Sequence, residues 1–83
     1  MKNGSLQQKV RRARSSQKLT LRDVERISQG SLTNVYVSNI ELGRNKEPSP
    51  KKLRALASAL KLDFLELMIL ADYLTIRELK GKV

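Results

Sequence analysis

Apolar side chains recur at helical spacing along almost the whole of this chain, and that regularity leaves few folds open to it. Leu6, Val10 and Ala13 stand at i, i+4 and i+7, which predicts an amphipathic helix over residues 5–17, with Lys9, Arg11 and Arg12 on its other face. Thr20, with Asp23 three residues on, reads as a short capping box for a second helix over about 21–28, Val24 and Ile27 turned inward. Gln29, Gly30 and Ser31 form a turn, in which Gly30 can supply the positive φ of a sharp corner. Thr33 caps a third helix, 33–42, whose Val37 and Ile40 face inward and which Gly43 ends. After a polar loop at 44–48, Ser49 and Pro50 start a fourth helix with Leu53, Leu56, Ala57 and Leu60 as its apolar stripe. Asp63 caps a fifth helix, about 64–73, and Thr75 a short sixth at 76–80. No stretch alternates as a strand would. The expectation is an all-α, compact five-helix bundle around one core: a flexible N-terminus at 1–4, one domain over 5–74, and a C-terminal extension at 75–83.

Composition narrows the functions. Eighty-three residues give one core at most. There is no cysteine and no histidine, so disulfides, thiolate metal sites and the commonest general base are excluded. The eight carboxylates suggest no catalytic pair by their spacing. The reading is therefore not an enzyme, with no cofactor and no metal. No run approaches the roughly 18–20 apolar residues of a membrane span, and Met1, Lys2, Asn3 and Gly4 open no signal-peptide core. A cytoplasmic, nucleoid-associated protein is expected.

Charge is the strongest bulk signal. Seventeen Lys and Arg against eight Asp and Glu give +9. Residues 1–54 hold thirteen basic and four acidic residues; residues 55–83 hold four of each. One half is a cationic surface and the other is neutral. Such asymmetry attracts polyanions, but charge by itself leaves nucleic acid, an anionic membrane and an acidic partner all open.

The central constellation decides among them. Helices 21–28 and 33–42, joined by a glycine-containing turn, make a helix-turn-helix. Placing residues 100° apart sets Val37, Ile40 and Glu41 on one side of the second helix and Val35, Ser38, Asn39 and Leu42 opposite, with Asn34 and Tyr36 flanking. The outward face is small, polar and uncharged. Its asparagines can pair bidentately with adenine, and its valine suits a thymine methyl. Lys and Arg crowd the flanks instead, the division that base readout with backbone positioning requires. A plain surface helix would usually carry Glu/Lys pairs at i, i+4, and this one carries none.

These residues resemble a known family. Val10, Ala13 and Arg14, then residues 19–24 (Leu-Thr-Leu-Arg-Asp-Val), then Tyr36-Val37-Ser38-Asn39-Ile40-Glu41 with Gly43, then Pro48-Ser49-Pro50, look like the Cro/C1-type helix-turn-helix (XRE) family of bacterial and phage regulators. The resemblance covers about residues 6–74. It implies a lambda-repressor-like domain, a transcriptional regulator, usually a repressor, that binds a palindromic double-stranded operator as a homodimer; repulsion between two +9 protomers makes that homodimer weak in solution. It places Asn34, Val35 and Asn39 at base-contacting positions and Arg44 and Lys46 at phosphate-contacting ones; Thr33 at the helix start and Ser38 on the outward face are expected to join the base contacts, and Thr20, Arg22 and Tyr36 the phosphate contacts. It also implies an ion pair between Arg14 and Glu41. The chain departs from the family pattern twice. Its turn is about two residues longer, and Glu25 stands where the family often has alanine, so its carboxylate must find a donor or reach solvent.

A second feature lies in the neutral half. Phe64, Leu67, Met68 and Ala71 suit one core, while Leu65 and Ile69 face elsewhere and Leu74, Ile76 and Leu79 extend the apolar surface. Such a patch marks a dimer or partner interface, unless segment 75–83 folds back over it. Two alternatives to an operator-binding regulator stay open: an antitoxin-type autorepressor whose C-terminal apolar helix holds a partner protein, and an interaction adapter that does not read DNA.

Overall fold

The computed structural model describes residues 2–75, with side chains from Leu6 onward. Five helices run through them: α1 Lys2–Ser16, α2 Leu21–Ile27, α3 Asn34–Glu41, α4 Pro50–Leu60 and α5 Phe64–Leu70. No strand occurs among the described residues. α1 begins three residues earlier than the apolar pattern predicts, so residues 2–4 form its first turn. Once the packed turns around Leu6 and Val10 exist, each further residue completes one more hydrogen bond at little nucleation cost. The sixth helix at 76–80, Ile76, Leu79 and most of the extension lie outside the described residues.

Side-chain oxygens start the other four helices. Thr20 Oγ1 accepts from Asp23 N while Asp23 Oδ2 accepts from Thr20 N, a complete capping box. Thr33 accepts from Tyr36 N, Ser49 from Lys52 N ahead of Pro50 at the first helical position, and Asp63 from Leu65 N. The helix ends share one device. A left-handed residue follows each: Lys18 (φ 57), Gln29 (φ 56), Gly43 (φ 78), Lys61 (φ 59) and Asp72 (φ 67). The next backbone N–H then bonds five residues back, from Leu19 to Arg14, Gly30 to Glu25, Arg44 to Asn39, Leu62 to Ala57 and Tyr73 to Met68. At α3 the left-handed residue is glycine, whose positive φ carries no Cβ strain, and the side-chain amide of Gln7 lies against it where a Cβ would stand.

The core joins all five helices. Leu6, Val10, Val24, Leu32, Val37, Ile40, Leu53, Leu56, Leu60 and Leu67 are essentially inaccessible, each contributing about 1.5–3 kcal/mol of burial. α2 packs on α3, α4 on α5, and α1 crosses α3, α4 and α5. One inward assignment is corrected: Ile27 is 42% exposed, and Leu32, from the turn, is fully buried. The longer turn supplies its own anchor. Ser28 Oγ accepts from Leu32 N, the chain bends through Gln29 and Gly30, both with positive φ, and it returns to the core at Leu32 before Thr33.

Candidate nucleic-acid interface

α3 presents two chemically distinct sides. Val37 and Ile40 are fully buried, and Glu41 retains 8% of its side-chain exposure. Val35 and Leu42 are 63% and 61% exposed, and Ser38 and Asn39 lie half-exposed on the same side. α3 contains no lysine or arginine.

Arg14 holds the inner side. Its Nε donates to Glu41 Oε2 at 2.7 Å and its Nη2 to Glu41 Oε1 at 2.8 Å. Nη1 donates to the Leu19 carbonyl at 3.0 Å, which also fixes the start of α2. The hydrogen bond with Glu41 is the main reason the Arg14 pKa is raised further. A two-pronged guanidinium–carboxylate pair admits one relative orientation of α1 and α3, so its chief effect is on the pitch of α3.

Glu25 has found its donor. Its Oε1 accepts from Asn34 Nδ2 at 2.8 Å and from Asn34 N at 3.0 Å. The side-chain bond from Asn34, then the backbone one, holds the Glu25 carboxyl below the usual carboxylate range. The carboxylate thus tethers α2 to the first turn of α3 and satisfies an orphan helix N–H. Sequence reasoning marked Glu25 only as a departure. The larger side chain in an alanine position was the available signal, but its partner, nine residues on, depended on how the longer turn folds.

The remaining residues expected at the interface fall around these two helices. Thr20 and Thr33 are exposed at the starts of α2 and α3, their hydroxyls committed as caps. Arg22 is exposed on α2; Arg44 and Lys46 are exposed just beyond α3. Tyr36 is half-buried, and burial is the main cause holding its hydroxyl above its ordinary pKa, with a hydrogen bond involving Asn45 acting the other way. Lys52, which sequence reasoning did not place, donates to the Ser31 carbonyl and stands 5.3 Å from the centre of the Tyr36 ring. It clasps the turn to α4. Arg54 lies 4.2 Å over Phe64, so its charge is stacked on α5.

On the neutral side, Leu65 is 42% exposed, and Ile69 and Leu74 are half-buried. Ile76 and Leu79 lie outside the described residues. Lys9 and Glu66 bridge α1 and α5 at 2.9 Å. Among the described residues no helix is long and apolar enough to cross a membrane, and no group of acidic side chains is placed to hold a metal ion.

Comparison with known families agrees with this arrangement. A helix-turn-helix family model of the Cro/C1 type matches residues 10–67, which takes in the second half of α1, all of α2, α3 and α4, and the first half of α5. No curated protein and no solved structure matched the chain. The matched span includes both halves of the Arg14–Glu41 pair and the whole helix-turn-helix, and the chain belongs to the Cro/C1-type helix-turn-helix family of DNA-binding regulators.

Proposed function

We propose that the protein regulates transcription by reading a specific double-stranded DNA sequence, with α3 in the major groove. The observation that carries this reading is the outward face of α3: Val35, Ser38 and Asn39 accessible, no charge among them, and cations confined to the flanks. A groove floor offers methyl groups and hydrogen-bonding edges, and it rewards small amide, hydroxyl and apolar side chains. Phosphates on either side reward Arg and Lys. In this docking Thr33, Asn34, Val35, Ser38 and Asn39 meet bases. Thr20, Arg22, Tyr36, Arg44 and Lys46 meet the backbone, α2 lying across it.

The family's usual operator is two half-sites about one helical turn apart, and a two-fold dimer needs a self-complementary patch away from the DNA. Leu65, Ile69 and Leu74 form the candidate patch, with Ile76 and Leu79 beyond it in sequence. Repulsion between two protomers of charge +9 opposes pairing in free solution, so the dimer forms on DNA.

Selection of bound duplexes from a random pool tests the reading directly. The expected result is an enriched inverted repeat; bound pools that stay random would remove sequence-specific binding from consideration.

A further inference from the structure

We propose that Glu25 is a positioning residue for base selection: it fixes the side-chain amide of Asn34 in one orientation, making the position that Asn34 reads selective for adenine over guanine. The inference rests on the major-groove reading of α3 given above and specifies one contact within it.

An ionised carboxylate can only accept hydrogen bonds. Facing Glu25 Oε1 at 2.8 Å, the Asn34 amide must therefore turn its NH2 group inward. The flipped amide would set Asn34 Oδ1 against a carboxylate oxygen, lone pair to lone pair. The same Glu25 oxygen accepts from the Asn34 backbone N–H at 3.0 Å, so it lies on the backbone side of the amide. The amide hydrogen it takes is the one on that side. The hydrogen beside Oδ1 stays free.

Among the described residues no side-chain oxygen or nitrogen is buried without a partner. Among the described residues Asn34 Oδ1 accepts no hydrogen bond, so it reaches solvent. The accessible edge of Asn34 is thus one acceptor beside one donor. Adenine offers the complement in the major groove, a donor at N6 beside an acceptor at N7. Guanine offers two acceptors, O6 and N7, which an unrestrained asparagine could meet by turning its NH2 outward. Glu25 prevents that turn. The hydrogen bonds from Asn34 also keep the Glu25 carboxyl below its usual range, so the lock is charged at neutral pH.

The test compares duplex selection by the wild-type protein, N34A, E25A and E25Q, with thermal melts of each. N34A marks the position that Asn34 reads. There the wild-type protein is expected to prefer adenine over guanine by about ten-fold or more, the scale of one bidentate contact. E25A should let guanine in, so that the ratio collapses toward parity at that position while all other positions keep their preferences. E25Q, whose amide can meet either orientation of Asn34, should relax the same position. Adenine preference retained in whichever of these two variants remains folded overturns the proposal. So does an even weakening at every position, which would make Glu25 a stabiliser of the turn only. A wild-type pool with no enriched sequence removes the reading beneath the proposal, whereas an enriched site left unchanged by E25A removes the proposal alone.

Discussion

Arg14 and Glu41, 27 residues apart, are joined by two parallel hydrogen bonds of 2.7 and 2.8 Å, with their side chains 19% and 8% exposed. Removing one partner strands a nearly buried charge, which costs about 3–5 kcal/mol. That is a large share of the stability of a domain this size. Glu41→Ala should therefore lower the midpoint of urea unfolding severely or prevent folding. Replacing both residues by apolar ones of similar volume should cost much less. A Glu41→Ala variant that unfolds at the same midpoint as the parent would show the pair to be energetically idle.

Asn39 carries the sharpest prediction about readout. Asn39→Ala should weaken binding to the selected site by about 1–3 kcal/mol, the scale of one bidentate base contact, and leave binding to random DNA almost unchanged. Titrations on both duplexes decide it: equal losses would move Asn39 off the base edges.

Phosphate contacts have a different signature. Neutralising Arg22, Arg44 or Lys46 should each flatten the log–log dependence of affinity on salt by about one unit, with little regard to sequence. Arg11 and Arg12, exposed on α1, serve as controls. If their neutralisation flattens the slope as much, the binding face lies elsewhere.

Acid should act on the helix-turn-helix itself. The Asp23 carboxyl is held below its ordinary range by the Thr20 backbone N–H and then by Arg26, and that of Glu25 by Asn34. A carboxyl with a depressed folded-state pKa adds stability that is complete above the unfolded value, about pH 4, and lost as pH falls through the folded one. Thermal melts should accordingly be flat from neutral pH to about pH 5 and fall below it. Asp23→Asn should make that fall shallower while lowering stability at neutral pH; an unchanged acid limb would show that other carboxylates drive it.

Charging the apolar patch should separate the dimer from the fold. Leu65→Glu with Ile69→Lys should abolish cooperative binding to a full palindrome and leave half-site affinity nearly intact. Sedimentation with half-site and full-site titrations reads both. Retained cooperativity would place the dimer elsewhere, and unfolding would show that these side chains belong to the core.

Much of the fold was legible because local chemistry fixes it. Thr20 with Asp23, Thr33, Ser49 with Pro50, and Asp63 are self-contained starting signals, and each caps the helix expected of it. The two sides of α3 follow from Val37 and Ile40 by wheel geometry. Helix ends were harder to read. Of the five left-handed residues that close the helices only Gly43 is a glycine, and Lys18, Lys61 and Asp72 carry no mark of that conformation. The longer turn hid two further features. Whether Ile27 or Leu32 reaches the core depends on the path through Gln29 and Gly30, and so does the meeting of Glu25 with Asn34. Both are tertiary outcomes of the turn's path, beyond what periodicity within a single helix can register.

The left-handed ends at Lys18 and Lys61 link two properties that are usually separate. A non-glycine residue gives up about 1 kcal/mol or more in that conformation, and a cation near a helix C-terminus recovers only about 0.3–1 kcal/mol. Glycine would hold these corners more firmly, yet both positions keep a lysine within the +9 total. Long-range charge governs how fast a protein meets a polyanion. The same two corners therefore bear on both the thermal margin of the domain and the speed of its encounters, and replacing either lysine by glycine trades some of the second for some of the first.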